Sequence, residues 1–264
     1  MRMNKQIRTR GVFRLITALM ILSSVSASAN TDSDMDTGGV QLGGTRVIFN
    51  GANHAESMTV TNSSSSAVWL MRFWVSPYEE GEEKAGMPPS TGQVVPEVPF
   101  AVTPPLYRLD PKTAVQLRIN LLSDALPADR ESVYYLNNLA IPPKKGEMTY
   151  QKAVQSGLQF AVNTRIKLFY RPVAISDMAA VKAAPSKLTA AVQGKTMTVK
   201  NPTPYFITLS QLQVNGKPID AGAGDSMIAP FGMFQFPVNV TEGTLTYSTI
   251  DDRGMTTPVL SLRF

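Results

Sequence analysis

The sequence predicts an all-β protein, two Greek-key β-sandwich domains meeting at a cleft. Three observations lead there. The stretch Leu158–Pro172 reads L-Q-F-A-V-N-T-R-I-K-L-F-Y-R-P, with Leu158, Phe160, Val162, Ile166, Leu168 and Tyr170 at period two. Gln159, Asn163, Arg165, Lys167 and Arg171 take the other parity, so this is a long strand with two chemically different faces. Secondly, the length left after export processing suits two domains of roughly 100 residues each. Thirdly, no stretch carries a helical period with caps.

In chain order, Arg2, Lys5, Arg8, Arg10 and Arg14 form a basic region before an apolar run from Leu15 to Val25. Ala27-Ser28-Ala29 supplies the small-x-small pattern of a signal-peptidase site, so residues 1–29 read as a cleavable signal peptide. That run is too short to span a bilayer of about 30 Å as a helix, and no membrane insertion of the mature chain is expected. Cleavage leaves 264 − 29, or 235, residues. It also removes five of the 25 basic residues and none of the 20 acidic ones, leaving 20 against 20. The formal charge of +5 therefore belongs to the export segment and points to no nucleic acid.

Residues 30–39 are polar and read as a flexible N-terminal segment. Asp32, Asp34 and Asp36 alternate as in the first half of a calcium loop. Thr37 and Gly43 stand where such a loop needs Gly and Glu, so no metal site is expected. A first domain follows over residues 40–172. Its expected strands are Val40–Phe49, ended by the Asn50-Gly51 turn, then Ser57–Asn62, Val68–Val75, Val115–Leu121, Ser132–Leu139 and the long strand. Val68–Val75 is apolar on both parities and reads as central, with Trp69 and Trp74 on opposite faces and one of them filling the core. Pro172 ends the long strand because it has no N–H to give a ladder. Residues 173–186, rich in Ala and closed by Pro185, read as a linker. The second domain, residues 187–264, has expected strands at Leu188–Val192, Thr196–Lys200, Phe206–Val214, Phe234–Val240 and Val259–Phe264.

Enzymatic chemistry finds little support. There is no Cys, which excludes thiol catalysis and Cys-based zinc sites. The single His54 follows a turn in a polar stretch and reads as an exposed loop residue. No nucleophile-elbow, zinc-helix or phosphate-loop pattern occurs, so no catalytic residue and no cofactor is expected.

Several blocks resemble one family, in that family's order: T-R-V-I-F-N-G at Thr45–Gly51, T-P-P-L-Y-R-L-D-P at Thr103–Pro111, D-R-E-S-V-Y-Y-L-N at Asp129–Asn137 and I-P-P at Ile141–Pro143. T-R-I-K-L-F-Y-R-P at Thr164–Pro172, N-P-T-P-Y-F-I-T at Asn201–Thr208 and I-D-D-R-G at Ile250–Gly254 continue the series. Together they resemble the periplasmic pilus-assembly chaperones of the chaperone–usher pathway, which span essentially the whole mature chain. The resemblance implies two immunoglobulin-like domains and a periplasmic protein of a Gram-negative bacterium. It implies binding, folding and capping of fimbrial subunits by donor-strand complementation, and delivery to an outer-membrane usher. The Lys144–Ser156 connection is longer than in the family's short-loop members, yet the Cys pair usual in long-loop members is missing, so the subclass stays open.

The resemblance also assigns residues. Arg46 and Lys167 match the two cations that anchor a subunit's C-terminal carboxylate. Leu158, Phe160 and Val162 match the donor strand's alternating apolar residues. Glu131, Arg171 and Asp252 match an interdomain salt-bridge network. From the residues alone, Arg46 reads as a solvent-facing strand end, the three network residues as separate surface charges, and the donors as core. Two other functions stand beside the chaperone: a fimbrial structural subunit or adhesin with a similar fold, and a periplasmic enzyme. A subunit should carry a donor extension at its N-terminus, for which residues 30–39 are too polar and acidic. An unpaired edge strand would also promote self-association when no subunit is bound.

Overall fold

The computed structural model describes residues 39–78, 98–142, 160–219 and 226–264. Two β-sandwiches make up the described chain. In the first, β1 (Val40–Leu42), β2 (Arg46–Asn50), β3 (Ala55–Asn62), β4 (Trp69–Pro77), β5 (Phe100–Thr103), β6 (Leu106–Leu109), β7 (Ala114–Leu121), β8 (Ser132–Ile141) and β9 (Val162–Arg171) form two sheets. One has the order β1-β3-β7-β5 and the other β2-β9-β8-β4-β6.

The run expected as one strand, Val40–Phe49, is two strands in different sheets. β1 pairs antiparallel with β3, whereas β2 pairs parallel with β9. The crossing occurs at Gly43-Gly44, where the Gly43 N–H donates to the Thr59 carbonyl at 2.8 Å. A Cβ on Gly43 would sit 3.1 Å from that same oxygen, so a bare backbone suits the crossing. The apolar parity switches at this crossing, from Val40 and Leu42 to Val47 and Phe49, so each short strand turns its own apolar residues to the core.

Buried faces follow the expected parity. Phe49, Met71, Phe73, Leu117, Ile119, Leu136 and Leu168 fill the space between the sheets. Trp69 shares the parity of Met71 and Phe73 and packs at the margin of this core, partly buried. Trp74 lies on the other face, where the Arg72 guanidinium stands 5.4 Å from its ring centre. The aromatic centre of the core is Phe49, Phe100 and Tyr170, with ring centres 5.3 to 6.3 Å apart, rather than either Trp. β5 and β6 had no counterpart among the expected strands, since Pro104 and Pro105 cut the run into two four-residue pieces.

The segment expected as a plain linker contains a helix, α1 (Met178–Ala183), capped by Asp177, whose Oδ1 accepts from the Ala179 N–H at 3.0 Å. It is packed, too. Ala184 is buried, and the Ile175 and Pro185 carbonyls accept from the Tyr205 and Tyr247 hydroxyls at 2.9 and 2.7 Å. Six residues are too few for a helical period to register in sequence.

The second sandwich comprises β10 (Thr189–Gln193), β11 (Thr196–Lys200), β12 (Ile207–Val214), β13 (Lys217–Pro218), β14 (Met227–Ile228), β15 (Met233–Pro237), β16 (Thr244–Thr249) and β17 (Leu260–Arg263). β10, β11 and β15 form one sheet, and β13-β12-β16-β17 the other, with β14 beside β12. β16, whose Leu245 and Tyr247 are fully buried, was not anticipated because four of its six residues are Thr or Ser. Met197, Val199, Ile228 and Phe236 complete the core.

Candidate functional site

The pairing of β9 defines the site. Along one side it runs antiparallel to β8, from Val162 opposite Ala140 to Tyr170 opposite Ser132. On the other side β2 covers only Lys167–Arg171. Among the described residues, no strand pairs with Val162–Ile166 on that side, so the edge of β9 that no described strand covers ends where β2 starts.

The side chains at this edge are unusual for a sandwich. Val162 has the parity of the buried Ile166, Leu168 and Tyr170, yet is 54% exposed. Phe160, just ahead of the strand, is 67% exposed. The inner face of β9 is thus uncovered at this end, and neither residue belongs to the core. The described strand begins at Val162, and Leu158, expected in its N-terminal half, lies outside the described residues.

Arg46 and Lys167 are direct register partners in the parallel β2–β9 pair, at the point where β2 begins to cover β9. In-register neighbours project from the same face, so the two cations stand side by side about 4.8 Å apart at the backbone. Both are half-buried. The Arg46 Nη1 donates to the Ile250 carbonyl at 3.4 Å, and its guanidinium lies 5.6 Å from the Phe169 ring centre. The Lys167 Nζ lies 5.7 Å from the Tyr78 ring centre, and the Arg165 guanidinium 4.7 Å from that of Tyr135. Sequence reasoning missed these aromatic neighbours and the Ile250 carbonyl, because they come from other strands and from the second sandwich.

Glu131, Arg171 and Asp252 come together between the sandwiches. The Arg171 Nε donates to Glu131 Oε1 at 2.7 Å, while Nη1 and Nη2 donate to the two Asp252 oxygens at 2.7 and 2.8 Å. Glu131 Oε2 accepts from the Phe206 N–H at 2.8 Å, and the Pro204 carbonyl accepts from the Glu131 N–H at 2.9 Å. The Glu131 and Arg171 side chains are 2% and 7% exposed, Asp252 31%. Burial pushes the Glu131 carboxyl above its ordinary value, against the pull of the Arg171 charge and the Phe206 N–H. Burial works against the Arg171 charge as well, but the Asp252 and Glu131 carboxylates outweigh it and push the guanidinium up. Each of the four carboxyl oxygens of Glu131 and Asp252 thus accepts from an N–H, three of them from the one guanidinium.

Two ring contacts flank the cluster. Phe169 and Phe206 lie with ring centres 5.8 Å apart, and the Arg130 guanidinium stands 5.2 Å from that of Phe231. Phe231, at φ 57°, is in the left-handed region that side chains seldom adopt. His54 is an exposed bend residue. Asp32, Asp34 and Asp36 and the signal-peptide segment lie outside the described residues. Among the described residues no helix is long and apolar enough to cross a membrane.

Comparison with known proteins agrees with this architecture over both halves of the chain. Residues 39–176 match the family model of pili and flagellar-assembly chaperones, PapD N-terminal domain, and residues 183–260 match that of the pili assembly chaperone PapD, C-terminal domain. The probable fimbrial chaperone LpfB of Escherichia coli O157:H7 is 37% identical over 220 residues, covering 82% of this chain and 85% of that protein. The chaperone protein FimC of Escherichia coli strain K12 is 30% identical, covering 98% of each. Among solved structures, the periplasmic chaperone SfaE aligns with a TM-score of 0.64 at 31% identity, over 85% of this chain and 99% of that one. The SafB chaperone, solved in complex with the SafA pilin of Salmonella enterica, gives a TM-score of 0.68 at 25% identity, over 86% and 96% of the two chains.

Proposed function

Because the chain belongs to the family of PapD-type pilus-assembly chaperones, we propose that it captures fimbrial subunits in the periplasm of a Gram-negative bacterium and passes them to an outer-membrane usher. Matches to chaperone models in both sandwiches favour this over the structural-subunit or adhesin alternative. The signal peptide directs the protein to that compartment, and cleavage after Ala29 then releases the mature chain.

The observation that carries the mechanism is the edge of β9 that no described strand covers, beside exposed Phe160 and Val162 and stopped by two cations. A chain laid parallel to β9 along Val162–Ile166 continues the line of β2 backwards and ends at Arg46. Its terminal carboxylate then falls between Arg46 and Lys167, where charge-assisted hydrogen bonds are roughly twice as strong as neutral ones. Backbone pairing with the free edge supplies affinity for any extended segment, and Leu158, Phe160 and Val162 fill the groove of a subunit lacking its own last strand. Glu131, Arg171 and Asp252 hold the two sandwiches in register for this task. No nucleotide, cofactor or catalytic group is required, since strand pairing and apolar burial provide the driving force. The same edge would also pair copies of the subunit-free protein with one another.

Phe160→Ser and Val162→Ser test this reading. Both residues are exposed in the free protein, so the variants should melt close to wild type. Capture of the cognate subunit should fall roughly tenfold or more per residue, from the loss of about 1.5–3 kcal/mol of apolar burial. Variants that melt many degrees early, while their folded fraction captures subunit normally, would defeat the donor-strand role.

A further inference from the structure

The turn Ile250–Gly254 of the second sandwich touches the ligand end of the first sandwich as well as its salt-bridge cluster. Asp252 holds Arg171, the last residue of β9, through two hydrogen bonds. Two residues earlier in the turn, the Ile250 carbonyl accepts from the Arg46 Nη1 at 3.4 Å. Two residues later, Gly254 abuts Thr45, the neighbour of Arg46, so closely that a Cβ on Gly254 would collide with the Thr45 hydroxyl. Gly254 also has φ +79°, a conformation few side chains adopt, and its N–H closes the turn onto the Asp251 carbonyl at 2.9 Å. The other flank of Arg46 is Phe169, whose ring packs at a tilt against Phe206 of the second sandwich.

We infer that the Ile250–Gly254 turn is a positioning element for the carboxylate anchor: Gly254 seats the turn on Thr45, and the Ile250 carbonyl aims the Arg46 guanidinium at the end of the free edge. This rests on the anchor reading given above. The physical need is plain. An Arg side chain has several rotatable bonds, and a single flexible cation gains little from a carboxylate unless its fork is already oriented. β2 alone fixes the Arg46 backbone; the carbonyl acceptor and the ring on either side restrict the orientation of the guanidinium. The second sandwich thereby decides how well the first distinguishes a chain terminus from the middle of a chain.

The test uses the full mature protein and two synthetic extended peptides of alternating apolar residues, identical except that one ends in a free carboxylate and the other in a carboxamide. Wild type should prefer the carboxylate by roughly tenfold. Gly254→Ala displaces the turn, and the preference should shrink to within about twofold, with amide-peptide binding unchanged. Gly254→Asn combined with Thr45→Ala removes the obstructing hydroxyl and supplies a residue that tolerates the left-handed conformation, so it should recover most of the preference. A thermal melt of each variant shows that the protein compared is folded. Retention of the full preference by Gly254→Ala, or equal loss of both peptides, overturns the inference. Absence of any preference in wild type would instead refute the anchor reading on which it rests.

Discussion

Removing the Glu131 carboxylate should be the most damaging single change at the junction of the sandwiches. Glu131→Ala takes the acceptor from the Arg171 Nε and from the Phe206 N–H together, at a position where the side chains are 2% and 7% exposed. Water cannot replace either partner, and breaking a buried ion pair from one side costs about 3–5 kcal/mol. Asp252→Ala removes two hydrogen bonds from the same guanidinium, but Asp252 is 31% exposed and Glu131 remains in place. Water then takes over part of its role, and the cost should be about 1.5–3 kcal/mol. Arg108→Ala is the control. Its contact with Asp110 at 3.0 Å joins side chains 62% and 52% exposed, and such pairs contribute at most about 1 kcal/mol. For a chain of this size each kcal/mol shifts Tm by about 2–4 °C, so Glu131→Ala should melt on the order of 10 °C below wild type. Scanning calorimetry of the three variants gives the order directly, and also shows whether the two sandwiches begin to melt separately. A Glu131→Ala melt indistinguishable from Arg108→Ala, or milder than Asp252→Ala, would refute the reasoning that burial decides the magnitude.

Further outcomes follow from the same geometry. Arg46→Ala and Lys167→Ala should each reduce co-purification of the cognate subunit at least tenfold with little change in Tm; normal capture by both would remove the anchor assignment. Burial pushes the Tyr247 hydroxyl up to about 12, and a folded value above the unfolded one near 10 means stability that is whole below about pH 10 and lost as pH rises toward 12. That loss amounts to roughly 2–3 kcal/mol, and Tyr247→Phe should flatten it in urea melts across the range; superimposable alkaline limbs would contradict it. Mass spectrometry of the periplasmic fraction should find a chain starting at Asn30, and an intact membrane-bound N-terminus would exclude cleavage after Ala29.

Much of the fold was legible in local patterns. Period-two alternation located β3, β7, β8 and β9 to within a few residues, because a sheet with one apolar and one polar face writes that period into the chain, and β4 showed instead as a run apolar on both parities. Strands too short or too rich in hydroxyl residues to show the period, such as β5, β6 and β16, escaped it. The six-residue helix α1 escaped for a similar reason: it is held by its Asp177 cap and by packing against the second sandwich, not by a periodic face of its own.

The sequence by itself determined which side chains share a face and where the chain must stop pairing. Ile166, Leu168 and Tyr170 lie opposite Arg165 and Lys167 for reasons of backbone geometry alone, and Pro172 ends the ladder for want of an N–H. Tertiary structure decided what each face meets. Val162 and Ile166 have the same parity and similar chemistry, yet one is 54% exposed and the other 7%, because the core covers only one end of β9. Arg46 and Lys167 are far apart in the chain and become neighbours only through the parallel pairing that follows the sheet crossing at Gly43-Gly44. Glu131, Arg171 and Asp252 read as three ordinary charges until the two sandwiches close over them. Alternation encodes a direction relative to the strand's own plane, a local property of the backbone, whereas strand order, free edges and the burial of a charge depend on contacts between segments that no local pattern specifies.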